Sequence, residues 1–308
     1  MIYVVSYHSP DIDGAACAIG YTEISEKLGT KVLATYFGDR SKEVEFVKKY
    51  TGYFPLIKHS SDYPEDAEFV VVDTSDPEAL EKGINPEKVR EVYDHRELVF
   101  TEKFKNAKLN IEKVGSCATL ITELFKRNNL IPSPKVAIYL YSAIISNTVN
   151  FKNTVTTQRD IEAANWLKPI AKIPGDYIQK MFEYKSKIES WEDLKFILDQ
   201  DYATKVMGNK NLMMAQIEIA KLEAVVNKYW ANIREWLEEI KKKEELDYTL
   251  FTGIDIVEGF NILIVVDEES DQFFSKALGM LNIGAGYKTK EIIMRKQIWP
   301  KVEKILTS

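Results

Sequence analysis

The sequence predicts an α/β protein with two parts: an N-terminal domain on a mainly parallel sheet, then a smaller C-terminal α/β domain. Three observations carry this. Through the first half, short apolar runs of strand length alternate with segments of helical period, the pattern of parallel strands joined by crossover helices. Several of those runs end directly in aspartate or histidine, as strands do when a site is built at their carboxyl ends. Beyond a polar, lysine-bearing stretch at 176–190, a hairpin signal and a long charged helix open a second unit. The chain has 308 residues, and domains of roughly 150 residues make two the natural division. The boundary is placed near Ser186, giving domains 1–186 and 187–308.

In order, Ile2 to Ser6 reads as a strand and Ala15 to Leu28 as a helix closed by Gly29. Lys31 to Phe37 is the next strand, followed by a helix around Val44 to Tyr50. Phe69 to Val72 is wholly apolar, as a strand covered on both faces must be. Val89 to Tyr93 is another strand. Cys117 to Asn128, Pro134 to Asn147 and Thr157 to Leu167 have helical spacing, and Asp176 to Ser190 reads as an amphipathic connector. In the second unit, Lys205 to Glu218 reads as a hairpin turning at Gly208-Asn209. Leu222 to Glu245 is then a long charged helix, Ile262 to Val266 a buried strand and Asp271 to Leu281 a helix.

A hydrophobic fraction of 45% is ample for two cores, and a net charge of -6 argues against general binding to nucleic acid or anionic membranes. Cys17 and Cys117 give no disulfide framework, and each falls in an apolar helical pattern. No apolar run is long enough to span a bilayer, and Met1 leads directly into a strand. A soluble, cytoplasmic protein is the expectation.

The chemistry concentrates at strand ends. His8-Ser9-Pro10-Asp11-Ile12-Asp13-Gly14 follows the first strand, Asp73-Thr74-Ser75-Asp76 the strand at Phe69, and Asp94-His95-Arg96 the strand at Val89. Two imidazoles with several carboxylates are a donor set suited to Mn²⁺ or Mg²⁺. A plainer role is open to Asp11, which can cap the following helix. The protein has 3 histidines, and the remaining one, His59 in Lys58-His59-Ser60-Ser61, reads as a surface loop residue.

These segments resemble the DHH phosphoesterase superfamily, in the branch with a DHHA2-type second domain. That branch holds manganese-dependent (family II) inorganic pyrophosphatases, exopolyphosphatases and prune-like proteins. The strand-end motifs carry the resemblance together with Gly115-Ser116-Cys117-Ala118-Thr119, the segment Ala143 to Lys152, and Thr156-Thr157. Met207-Gly208-Asn209-Lys210, Gln216-Ile217-Glu218 and Arg295 to Pro300 carry it in the second domain. The resemblance implies a DHH domain and a DHHA2 domain with the active site in the cleft between them.

It further implies a site for two Mn²⁺ ions, with Mg²⁺ or Co²⁺ as substitutes. In two-metal sites the ions lie about 3.5–4 Å apart, activating water and neutralising phosphoryl oxygens. His8 and Asp11 would hold one ion, Asp13 and His95 the other, and Asp73 would bridge them. Asp94 would orient His95, and Asp76 would cap a turn. Asn147 stands where relatives carry a further aspartate ligand. Asp73, Asp13 and Asn147 thus form the expected catalytic set. Substrate-binding positions would be Arg96, Gly115 and Ser116 at a helix start, and Lys205, Arg295 and Lys296 in the second domain. Anchored on Gln297 and Pro300, the relatives' Arg-Lys pair falls at Met294-Arg295; a one-residue shift restores Arg295-Lys296. A further lysine of relatives aligns with Ala203, and Lys205 would face the same side of a strand.

The chain departs from pyrophosphatases in several places. Its first motif is a residue shorter between His8 and Asp11, Arg96 replaces a histidine, and Asn147 is neutral. The expected activity is hydrolysis of phosphoanhydride bonds. Inorganic polyphosphate comes first because Asp94-His95-Arg96 and Gly115 to Thr119 look like the exopolyphosphatase and prune branches. Inorganic pyrophosphate is the alternative. A phosphodiesterase of short oligonucleotides, and a catalytically weakened phosphate-binding protein, are the further readings. The partners are inorganic polyphosphate or pyrophosphate, with no membrane or general nucleic-acid role, and the resemblance admits a homodimer.

Overall fold

Among the described residues, six parallel strands form the first sheet, in the order β3-β2-β1-β4-β5-β6. They are β1 (Ile2–Val5), β2 (Val32–Tyr36), β3 (Ile57–Lys58), β4 (Glu68–Val72), β5 (Val89–Asp94) and β6 (Lys108–Ile111). The structure is a computed structural model that describes residues 1–59, 63–95, 101–153 and 155–307. Its chain divides into two compact units, Met1–Met181 and Phe182–Ser308. The helices of the first unit are α1 (Ile12–Lys27), α2 (Lys42–Thr51), α3 (Cys117–Arg127), α4 (Pro134–Asn147) and α5 (Gln158–Ala171), and α6 (Tyr177–Lys185) runs across the division between the units.

α1 begins three positions earlier than apolar spacing alone places it, because Asp11 caps it. Its side chain accepts from the backbone N–H of Asp13 at 2.7 Å and of Gly14 at 3.1 Å. Asp13 therefore lies inside the first helical turn. β4 is central and buried from Phe69 to Val72, paired with β1 on one side and β5 on the other. One face of the sheet packs Val5, Phe69, Val71 and Val92 with Phe37 and Phe104. β6 escapes sequence reading because it is a polar edge strand, with Lys108 and Leu109 exposed.

His59 is not the isolated surface residue expected. Its half-buried ring stacks on Tyr63 at 3.9 Å, lies edge-on to Phe37 at 5.4 Å, and its backbone N–H donates to Tyr36 O at 2.9 Å. The backbone bond carries His59 alongside the end of β2, and aromatic packing takes the ring.

The second unit holds α7 (Trp191–Gln200), β7 (Tyr202–Met207), β8 (Lys210–Ile219), α8 (Leu222–Lys243), β9 (Tyr248–Asp255), β10 (Phe260–Ile264), α9 (Glu268–Leu278), β11 (Tyr287–Lys288) and α10 (Arg295–Thr307). Its sheet runs β11-β10-β9-β8-β7; among the described residues only β8 and β9 are parallel, with α8 crossing between them. β8 shows the period of two directly. Met213, Ala215 and Ile217 join a core with Val226, Ile233 and Trp236, whereas Leu212 and Met214 face Phe274, Ile298 and Trp299. α7 is capped by a reciprocal Ser190–Asp193 pair. β9 is masked in the sequence by Gly253, which looks like a break. A Cβ there would lie 2.5 Å from Leu222 Cδ1, so glycine permits the start of α8 to lie on the strand.

Candidate metal centre

The strand order of the first sheet reverses between β1 and β4, and such a switch point leaves a crevice at the carboxyl ends of the two strands. Asp13 follows β1, Asp73 follows β4 at once, and His95 follows β5. Their ligand atoms all lie within 4.8 Å of one another. Asp73 adopts the left-handed region at φ 62°, and its N–H donates to Tyr93 O at 2.7 Å. Aspartate tolerates that backbone better than most residues, and such strain concentrates at functional sites.

His95 is oriented from both ends. Its Nδ1 lies 3.1 Å from the Val114 carbonyl oxygen, which makes that nitrogen the donor and turns Nε2 toward the carboxylates. Nε2 stands 3.5 Å from Asp73 Oδ1 and 4.0 Å from Asp13 Oδ2. Asp94, buried, accepts from the His95 backbone N–H at 2.8 Å and from Ser75 Oγ at 2.6 Å. It holds the backbone that carries the imidazole.

Asp13 is fully buried. Its oxygens accept from the Cys117 and Ala118 backbone amides, each at 2.8 Å, so the carboxylate sits on the N-terminus of α3. Burial pushes its pKa up, and the neighbouring His95 imidazole works against that shift. Tyr7 was not anticipated. Its hydroxyl accepts from the Asp11 N–H at 3.2 Å, and burial with the charges of Asp11 and Asp73 keeps the phenol protonated. Two carboxylates and an imidazole with its second nitrogen already bound suit a divalent cation such as Mn²⁺.

The other expected ligands are placed differently. Asp11 is engaged in capping α1. His8 has a side chain 60% exposed, with Nδ1 3.1 Å from Ser9 Oγ and Nε2 3.7 Å from Glu81 Oε2. Neither joins the group formed by Asp13, Asp73 and His95 among the described residues. Asn147 does reach it, its Nδ2 donating to Asp13 Oδ2 at 2.5 Å. Asp76 caps a short turn by accepting from Glu78 N at 2.9 Å. Arg96 lies outside the described residues.

Gly115 and Ser116, the expected anion-binding positions, are both buried, and three amides at this helix start have carboxylate partners within the protein. Gly115 N–H donates to Asp160 Oδ2 at 2.9 Å, while those of Cys117 and Ala118 go to Asp13. Asp160 is the important residue that sequence reasoning missed. It is fully buried and also accepts from Thr157 N and Oγ1, each at 2.7 Å, and from Thr119 Oγ1 at 2.6 Å. The Thr157-x-x-Asp160 spacing of a capping box was the available signal. The Val114 carbonyl left none, since a backbone acceptor is independent of side-chain identity.

Within the second unit, Arg295 is tied inward. Its guanidinium donates to Asp201 Oδ1 at 2.7 Å and to the carbonyls of Asp201 and Met214, each at 3.1 Å. Lys205 Nζ lies 5.1 Å from the Trp299 ring centroid, and Lys296 is exposed at the start of α10. Among the described residues, no helix is long and apolar enough to cross a membrane.

Known proteins match this chain along its length. A probable manganese-dependent inorganic pyrophosphatase of Clostridium acetobutylicum is 25% identical over 303 residues, covering 97% of this chain and 96% of the relative. One from Staphylococcus aureus is 26% identical over 307 residues, covering 99% and 98%. Among solved structures, a Methanococcus jannaschii protein provisionally assigned as a family II inorganic pyrophosphatase is 28% identical with TM-score 0.61, covering 100% of both chains. An exopolyphosphatase-related protein from Bacteroides fragilis, 13% identical with TM-score 0.50 over 99% of this chain and 91% of that one, shares the fold. Residues 1–144 match the DHH family, N-terminal domain, and residues 179–305 the DHHA2 domain. The three ligand-bearing strand ends lie in the first of these segments, so the chain carries a DHH domain that contains the candidate metal centre, followed by a DHHA2 domain.

Proposed function

We propose that the protein is a manganese-dependent hydrolase of phosphoanhydride bonds, acting on inorganic pyrophosphate. The observation that carries this is the convergence of Asp13, Asp73 and His95 at the switch point of a parallel sheet. A divalent cation held there by Asp13, Asp73 and His95 would supply positive charge for phosphoryl oxygens and for activating water. The chain's part is preorganisation. Val114 and Asp94 orient His95, the α3 amides hold Asp13, and the left-handed backbone at Asp73 aims its carboxylate.

Pyrophosphate replaces the polyphosphate preference drawn from Asp94-His95-Arg96 and Gly115 to Thr119. The curated relatives that cover nearly the whole chain are named for pyrophosphate. The Gly115 segment also loses weight, since its amides serve Asp160 and Asp13. The deciding experiment is phosphate release from pyrophosphate, tripolyphosphate, long polyphosphate and a dinucleotide, with Mn²⁺ and after chelation. Manganese-dependent turnover highest on pyrophosphate is expected. Preference for long chains would restore the polyphosphate reading, and turnover unaffected by chelation would remove the metal from the chemistry.

A further inference from the structure

Every lone pair of the Asp13 carboxylate has a donor. Oδ2 accepts from Cys117 N–H at 2.8 Å and Asn147 Nδ2 at 2.5 Å. Oδ1 accepts from Ala118 N–H at 2.8 Å, and the Cys17 thiol approaches it at 3.5 Å. An ionised carboxylate offers about four such positions, so none is spare. Oδ2 is the oxygen nearest His95 Nε2, at 4.0 Å, and therefore the one that a cation shared with His95 and Asp73 would use. The helix amides on Asp13 belong to a buried backbone and cannot leave. The Asn147 amide, on a half-buried side chain, can.

We infer that Asn147 is a latch on Asp13: its amide N–H occupies the position on Oδ2 that a divalent cation needs, so metal binding costs that hydrogen bond. The inference rests on the metal-dependent reading above and assigns Asn147 a role opposite to that of a plain ligand. Asp13 oxygens act as acceptors to every neighbour here, which requires the Asn147 amide to present its NH₂ face. Reversal of the amide would instead present its carbonyl oxygen, a donor that hard cations accept.

The backbone beside Asn147 is held firmly, so the latch must open at the side chain. Asn147 ends α4, and Thr148 behind it is fully buried. The Thr148 hydroxyl donates to Ile144 O at 2.6 Å and accepts from Phe151 N at 3.2 Å. Val149, Asn150 and Phe151 then follow at φ 48°, 51° and 66°. A left-handed run of three non-glycine residues is costly and persists only when the surroundings impose it. Bonds from Asn150 N to Ile145 O at 2.8 Å and from Asn153 N to Thr148 O at 2.9 Å impose it here.

The test is Mn²⁺ binding by calorimetry to the chelator-stripped full chain and its Asn147→Ala and Asn147→Asp variants, with melting temperatures before metal is added. A latch predicts that Asn147→Ala binds Mn²⁺ at least about tenfold more tightly, the weight of one hydrogen bond to a charged group. It also predicts that both variants melt below wild type before metal is added, Asn147→Asp lowest because two carboxylates then meet. If Asn147→Ala binds Mn²⁺ equally or more weakly, the latch is overturned and Asn147 is at most a ligand. Should Asn147→Ala not fold, Asn147→Ser makes the same comparison, since its hydroxyl stops about one bond short of the amide. Wild type and all variants failing to bind Mn²⁺ would overturn the metal reading itself, and the latch with it, a result separate from normal binding with unchanged affinities.

Discussion

The Gly115 backbone amide donates to the buried Asp160 carboxylate at 2.9 Å, across 45 positions of sequence. This bond fixes the loop ahead of α3 against the start of α5. A Cβ at Gly115 would lie 2.8 Å from Thr148 Cγ2 and 2.9 Å from Asp160 Oδ2, so α3, α4 and α5 meet at one point without room for a side chain. The consequence reaches the metal centre: the helix start docked here carries the amides that hold Asp13.

Asp160→Ala should lower the free energy of unfolding by about 3 kcal/mol or more, because it strands several buried donors at once. Urea denaturation measures this. A loss under about 1 kcal/mol would mean that the Gly115, Thr119 and Thr157 donors find other acceptors easily. Asp160→Asn, which keeps the shape but turns one acceptor into a donor, should fall between the two.

Manganese should raise the melting temperature of the wild-type chain, because a ligand of the folded state alone stabilises it, by about 2.7 kcal/mol at a hundredfold excess over Kd. Asp73→Ala should abolish most of that rise, since Asp73 stands 3.5 Å from His95 within the candidate group. An undiminished rise in the variant would place the ion elsewhere.

Asn147→Asp should raise kcat on pyrophosphate with saturating Mn²⁺ at least about tenfold, or roughly 1.4 kcal/mol of barrier. The added carboxylate lies against Asp13, where it strengthens the field on the cation and its water. Steady-state phosphate release provides the comparison. Equal kcat in the two proteins would show that Asn147 does not influence the chemical step.

Acid should weaken the second unit in part through Asp267. Burial raises its carboxyl, but Lys241 Nζ at 2.8 Å and the Ser270 amide at 2.8 Å outweigh that and hold it below the usual range. A depressed folded pKa stabilises above the unfolded value, about 3.9, and that stabilisation is lost as pH falls through the folded pKa. Stability should therefore decline more shallowly below about pH 4 in Asp267→Asn than in wild type. Parallel pH profiles by chemical denaturation would count against this assignment.

Local chemistry made much of the fold legible. The helix at Pro134 to Asn147 and the strands at Phe69 and Val89 were readable because proline, apolar period and uninterrupted branched residues act over a few neighbours. Asp13, Asp73 and His95 could be singled out because each follows an apolar strand, and a parallel sheet gathers such ends on one edge. The β-strand across Gly253 was hidden, since glycine there answers to Leu222 in another element.

What only the tertiary structure decided is the choice of partners. The sequence determined that a helix starts near Ser116 and offers free amides, as every helix does. It could not say that those amides would meet Asp13, 104 positions away, in place of a phosphate. Nor could it say that Val114 would turn His95, or that Asp201 would take the Arg295 guanidinium. Helix and strand follow from bonding along the chain and from the periodicity of apolar side chains. Which buried acceptor satisfies which donor depends on the elements that packing brings within about 3 Å, and that distance exists only once the chain has folded.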